Sequence, residues 1–181
     1  MLDDKEILAL FTHEDKRDYA FSLLVEKYSE RLYWHIRTLV FSHDDADDLL
    51  QNTFIKVWKS LHSFREESKL YTWLYRIATN ETLTFLKRER SKISLSMTGY
   101  EEIIDNMILS DPMFDGNKIQ VELHKAIQKL PPKQRSVFVM RYFDEMKYED
   151  ISEVLSISVG ALKASYHHAY QKILKSVEET N

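Results

Sequence analysis

The chain has 181 residues, 44% of them apolar and 30% charged, with a net charge of −4. That composition fits a soluble globular protein of one ordinary domain or two small ones. The absence of cysteine excludes disulfides and thiolate metal sites and fits a reducing compartment, and no apolar run approaches the ~18 residues that suggest a membrane span.

Three glycines and three prolines supply too little turn chemistry for a β-rich domain, so an all-α fold is expected. The start, MLDDKEILALF, is acidic and lacks the basic region and apolar core of a secretory leader; a soluble, cytoplasmic protein is the expectation. Residues 15–41 carry Phe21, Leu24, Val25, Tyr28, Leu32, Ile36, Leu39 and Val40 at helical spacing, which predicts a long amphipathic helix. In HDDADDLLQNTFIKVWKSLHSF, the inward stripe is Ala46, Leu50, Phe54, Val57 and Leu61. Asp44, Asp45, Asp47 and Asp48 crowd the first turn, where carboxylates complement the positive end of the helix dipole. As solvated, dipole-complementing charges they require no further role.

FREESKLYTWLYRIATNETLTFLKRER interleaves Tyr71, Trp73, Tyr75 and Phe85 with Lys69, Arg76, Lys87, Arg88 and Arg90. Single-stranded nucleic acid needs that combination, because ring faces accept unstacked bases at about 1–3 kcal/mol each and cations accept phosphates. Trp73, Arg76 and Asn80 share a face at spacings of three and four. Core packing is the competing reading for Trp73, and both hold if one edge of the ring is buried.

Residues 92–117 contain one lysine against five acids, together with Gly99, Pro112 and Gly116, and read as a poorly periodic acidic linker. Beyond it, Ile119, Leu123, Ala126, Ile127 and Leu130 predict an inward helical stripe that Pro131-Pro132 ends, with Pro132 opening the next helix. Ile151, Val154 and Leu155 make a short apolar face, Ser156-Ile157-Ser158 a tight connection, and Leu162 restarts the period with Ser158 as N-cap. A short helix, a turn of about three residues and a longer helix form the helix-turn-helix pattern. On the last helix Leu162, Tyr166, Ala169, Ile173 and Val177 face inward. Gly160, Ala164, His167, His168, Gln171 and Lys175 face outward. The adjacent histidines diverge by about 100°, so they do not form a shared metal site as an i, i+4 pair can.

Several of these words together resemble the extracytoplasmic-function group of bacterial sigma factors, the promoter-specificity subunits of RNA polymerase. In the first half they are DDLLQNTFIKVW, LHSF, YTWLYRIATN and LKRER; in the second, LPPKQRSVFVMRYFDEMKYEDISEVLSISVGALKASYHHA. The resemblance implies two small helical domains. Residues 1–91 would bind the polymerase core, recognise the minus-ten element and melt DNA. Residues 92–117 would be a flexible acidic linker threaded near the active site and RNA exit path, and residues 118–181 would read the minus-thirty-five element through the helix-turn-helix. It also implies that Asp45, Asp48, Leu49, Gln51 and Phe54 dock on the polymerase clamp helices. Phe64, Arg65, Ser68 and Lys69 would belong to a loop that captures a flipped base, beside Trp73, Arg76 and Asn80. Extracting a base costs a few kcal/mol, so such a pocket and stacking surfaces are physically required.

On the last helix the DNA-facing set is Ser158, Gly160, Lys163, Ala164, His167 and His168, which would enter the major groove. Ser165, His168 and Tyr170 stand where many relatives carry arginine, so the guanine-reading contribution of those arginines is absent. Lys163 and His168 are the expected base-side contacts. The expected partners are the polymerase core, promoter DNA and an anti-sigma factor, with no cofactor, metal or small-molecule substrate. Two alternatives remain at this point: a sigma-like module that binds only an anti-sigma partner, and a stand-alone helix-turn-helix regulator. An enzyme is the least favoured class, since the chain lacks a Gly-rich phosphate loop, a cysteine nucleophile and a His/carboxylate metal motif.

Overall fold

A computed structural model describes residues 2–40, 42–94 and 118–178. Most of the acidic linker therefore lies outside the described residues. Those residues form eight α-helices and no strand: α1 (Asp4–Phe11), α2 (Arg17–Val40), α3 (His43–Ser60), α4 (Leu70–Ser94), α5 (Lys118–Lys129), α6 (Pro132–Tyr142), α7 (Tyr148–Leu155) and α8 (Val159–Glu178).

The short α1 escapes the periodicity reading because it has only two full turns, but its ends are chemically well marked. Asp3 accepts from the Glu6 amide at 2.8 Å and Glu6 accepts from the Asp3 amide at 2.7 Å, a capping box that satisfies two N-terminal donors. Asp4 then holds Lys27 at 2.7 Å and the Tyr28 hydroxyl at 2.8 Å, which ties α1 to α2 and buries Ile7 and Phe11. α3 starts at Ser42, whose hydroxyl accepts from the Asp45 amide at 3.2 Å. Its buried face holds Ala46, Leu49, Thr53, Phe54 and Val57. Leu50, expected in that stripe, is only half-buried; the face turns toward Leu49 and Thr53, where the Thr53 hydroxyl is satisfied by the Leu49 carbonyl at 2.7 Å.

In the second half, Pro132 opens α6 after Pro131, where a missing amide hydrogen costs nothing. The turn between α7 and α8 passes through Ser156 at φ 55°, a left-handed C-cap that a serine adopts at some cost in strain. Ser158 then caps α8 by accepting from the Ala161 amide at 3.4 Å. Leu162, Ala169 and Ile173 are buried as the spacing predicts, with Tyr166 and Val177 partly so. Ile119 departs from prediction. It is 67% exposed, because it lies in the opening turn of α5, ahead of the stretch Ala126–Leu130 that meets the core.

The two halves pack against each other. Val137, Met140, Met146, Ile151, Val154 and Leu162 belong to the same buried cluster as the cores of α1–α4, while Leu39 of α2 enters the cluster built by α5, α6 and α8. Polar ties explain how a helix end can be buried there. The last carbonyls of α2 have no partner within their own helix. Arg135 donates to Leu39 O at 2.8 Å, and Gln128 Nε2 donates to Thr38 O at 3.3 Å and Leu39 O at 3.4 Å. Arg135 also donates to Gln128 Oε1 at 2.6 Å, Leu130 O at 3.3 Å and the Gln128 carbonyl. A guanidinium at the negative end of the α2 dipole is favourable on both counts. Next to it, the buried His35 donates from Nδ1 to Asp144 Oδ2 at 2.6 Å, and its Nε2 pairs with Thr79 Oγ1 at 3.0 Å.

Candidate nucleic-acid interface

The loop between α3 and α4 leaves a one-turn 3₁₀ helix (Leu61–Ser63) and includes Glu66 at φ 55°. That positive φ bends the chain back over the start of α4. The result is a cleft of about 540 Å³ between the loop residues Ser63, Phe64, Arg65, Glu67 and Ser68 and the α4 side chains Trp73 and Arg76. Phe64 and Trp73 are both half-buried, with ring centroids 5.2 Å apart and a 48° tilt. Each ring keeps an edge in the cleft, so Trp73 is part of the packing and of the surface together. Arg65 is exposed at the rim, and Lys69 follows at the start of α4 with its ammonium 5.5 Å from the Tyr71 ring centroid.

The seven sequence-predicted residues of this face are not all brought together. Asn80 is exposed but lies outside the cleft, lining instead a groove of about 780 Å³ with Leu83, Lys87, Arg90 and the Pro131–Lys133 corner. Sequence reasoning missed the far wall of the first cleft, Glu153 of α7. A long-range contact of that kind leaves no trace in local spacing.

On the opposite side of the first half, α3 and α4 frame a shallow cleft of about 210 Å³. Asp45, Asp48 and Leu49 meet Asn52, and α4 contributes Glu81, Thr84, Phe85 and Arg88. Asp48 and Gln51 are exposed and available to a partner, whereas Leu49 forms a buried floor. Phe54 is also buried, edge-on to Phe21 at 6.2 Å. It supports the α3 face from beneath and offers little surface of its own.

α8 presents Ser158, Gly160, Lys163, Ala164, His167 and His168, all exposed, on one side of the helix-turn-helix. A Cβ added at Gly160 would meet nothing within 4 Å, so internal packing does not demand glycine there. Its smallness serves whatever approaches the helix from outside. Lys163 lies 5.8 Å from the Tyr148 ring centroid, and the two histidine rings are 6.1 Å apart. Behind them Tyr142, Phe138 and Tyr166 stack at 5.2 and 5.7 Å, which fixes α8 against α6. Among the described residues no group of three histidine or acidic side chains is placed to hold a metal ion, and no helix is long and apolar enough to cross a membrane.

A helix-turn-helix joined to an aromatic and cationic cleft marks an all-α protein that faces nucleic acid at two places. The family model for sigma-70 region 2 matches residues 24–92 and that for sigma-70 region 4 matches residues 120–173. The chain is 30% identical to the RNA polymerase sigma-H factor of Pseudomonas aeruginosa over 97% of this chain and 94% of that protein. It is 29% identical to the ECF RNA polymerase sigma factor SigW of Bacillus subtilis over 88% and 90% of the two chains. Two solved structures share the fold at 22% identity. One is the sigma factor RpoE of Bartonella quintana in complex with the anti-sigma factor NepR, with TM-score 0.70 over 87% of this chain and 96% of that one. The other is CnrH in complex with the cytosolic domain of CnrY, with TM-score 0.71 over 98% and 99%. The chain belongs to the extracytoplasmic-function sigma factors and is an alternative sigma factor that directs promoter-specific transcription. Sigma factors are initiation factors that bind RNA polymerase core and promoter DNA.

Proposed function

We propose that the work of initiation is divided between the two halves of this chain, without a reaction catalysed by the chain itself. Residues 1–91 engage the polymerase core through Asp45, Asp48 and Gln51 on α3, with Leu49 and Phe54 shaping that face from below. The Phe64–Lys69 loop, Trp73 and Arg76 receive the minus-ten strand. A flipped base enters beside the exposed ring edges, and Arg65, Lys69 and Arg76 take the backbone phosphates. Asn80, one face further along α4, contacts the strand beyond the cleft. Residues 118–181 dock α8 in the major groove of the minus-thirty-five element. Ser158 and Gly160 lie close to the sugar-phosphate chain, and Lys163, Ala164, His167 and His168 lie toward the base edges. Residues 92–117 are the acidic connection between the two. The protein acts in the cytoplasm, where the polymerase is, and is held in check by an anti-sigma factor.

The observation that carries this reading is the coexistence of a helix-turn-helix with an exposed reading face and the Phe64–Trp73–Arg76 cleft on one chain. A stand-alone regulator would need only the first. The test is transcription in vitro by polymerase core plus this protein on templates with randomised upstream DNA. The expected transcripts share one or two upstream elements, and the absence of specific initiation would sink the assignment.

A further inference from the structure

The strand-capture cleft is already occupied. Lys69 Nζ lies 3.1 Å from Asp150 Oδ1 and 3.5 Å from its Oδ2, and Arg76 Nε donates to the Glu153 carbonyl at 3.1 Å. Tyr71 also hydrogen-bonds to the Asp150 carboxylate, and Glu153 forms one wall of the cleft. All these acceptors come from α7, the first helix of the helix-turn-helix. A carboxylate on the lysine and a carbonyl on the guanidinium are the kinds of oxygen that a phosphate backbone and a base edge would offer.

We propose that α7 stands in for single-stranded DNA, so that the packed molecule excludes the minus-ten strand until its two halves part. This inference rests on the reading of the cleft as the strand-binding face. Local fraying of α7 cannot release the cleft, because Ile151 and Val154 on the same helix are buried in the core shared with α1–α4. The Lys69 side chain is 62% exposed, so its pair with Asp150 is weak on its own. The closure is held from further back, by the buried His35–Asp144 pair and by the capping of α2 through Arg135 and Gln128. Occupant and lock are therefore different residues, and each can be altered separately.

The experiment uses the full chain and two variants, Asp150→Asn at the occupant and Asp144→Asn at the lock. Neither residue belongs to the proposed DNA or polymerase contacts. Binding of a fluorescein-labelled pool of random 12-nucleotide single strands is followed by anisotropy. The separation of the halves is followed by electron spin resonance between labels at Lys59→Cys and Gln171→Cys, exposed positions in a chain that has no cysteine of its own. Asp144→Asn is expected to broaden the distance distribution and tighten strand binding about tenfold, and Asp150→Asn to do the same to a smaller extent. Adding Lys69→Ala to either should remove most of the gain. Circular dichroism confirms that the variants keep their helices. Should Asp144→Asn fail to fold, Gln128→Leu loosens the same junction and takes its place. Halves that part without any gain in strand binding would overturn the inference, as would a gain without parting or a wild type that binds as tightly as the variants. The random-template transcription assay reports separately on the parent reading. Failure there sinks the sigma assignment of the cleft, whereas variants that initiate normally with unchanged strand affinity sink only the occlusion.

Discussion

The strand-capture cleft and the reading helix face DNA with opposite resources. The cleft has two cations and two aromatic edges in one place, but α7 fills it. The α8 face is fully exposed, but its charge there amounts to Lys163 and two histidines, with no arginine. With a chain net charge of −4, few phosphates can be neutralised, and affinity for duplex DNA depends steeply on that number. One site is strong and shut, the other open and weak. The free protein is thus expected to bind duplex promoter DNA poorly and to bind well only with the polymerase core, which a gel shift with and without core would show.

The largest expected effect tests whether the two halves are one cooperative body. Phe138→Ala removes a buried ring stacked between Tyr142 and Tyr166 and should cost about 3–5 kcal/mol. All three tryptophans, Trp34, Trp58 and Trp73, lie in the first half. A change in the second half that shifts the tryptophan-detected urea midpoint shows coupling through the shared core. A midpoint that stays in place while the helical signal falls in two steps would separate the halves.

How much of this was legible in the sequence depends on the kind of contact. The helix-turn-helix was, because Ser156–Ser158, the Ser158 cap and the Leu162–Ile173 stripe are local features with local causes. The packing of the halves was not. His35, Arg37, Gln128 and Arg135 are buried, yet polar residues at such positions interrupt the apolar period and look like surface. Only the fold reveals that Gln128 and Arg135 finish the hydrogen bonding of α2. Periodicity also shows which face turns inward without showing what meets it, and for that reason the Asp150 and Glu153 contacts with α4 were invisible. Among the site residues, Trp73, Arg76 and the Phe64–Ser68 loop meet as read, while Asn80 lies off the cleft and Phe54 beneath the docking face.

The next effect sharpens the role of the cleft. Trp73→Ala removes a stacking surface worth about 1–3 kcal/mol, so initiation on duplex templates should fall about tenfold or more. A template already unpaired across the minus-ten element should recover much of that loss. Equal loss on both templates would mean that Trp73 only holds Phe64 and the loop in place. On the other face, His168→Ala and Lys163→Ala should lower initiation by smaller factors, about three- to fivefold. Lys163→Ala should also reduce the salt slope of holoenzyme binding by about one if it contacts a phosphate. Unchanged promoter choice in His168→Ala would remove that histidine from the reading set.

The smallest effect bears on the junction between the two regions. His124 of α5 is buried against Phe143, with ring centroids 6.0 Å apart. Burial, and after it the Arg37 charge, pull its pKa down from 6.5 to about 4. Between those two values the unfolded chain binds a proton at this residue and the folded chain does not. Unfolding therefore takes up a proton, and stability rises with pH across that window. The contribution is whole above pH 6.5 and is lost as the pH falls toward 4, by about 1 kcal/mol at pH 5.5. The chain has seven histidines, so the wild-type curve alone cannot assign this loss. Subtracting the urea-unfolding curve of His124→Gln at matched pH isolates it, because the substituted amide does not titrate. The difference between the two proteins should shrink steadily from pH 6.5 to pH 5. A difference independent of pH would mean that His124 gains its proton within the fold, beside Arg37, without forcing the two halves apart.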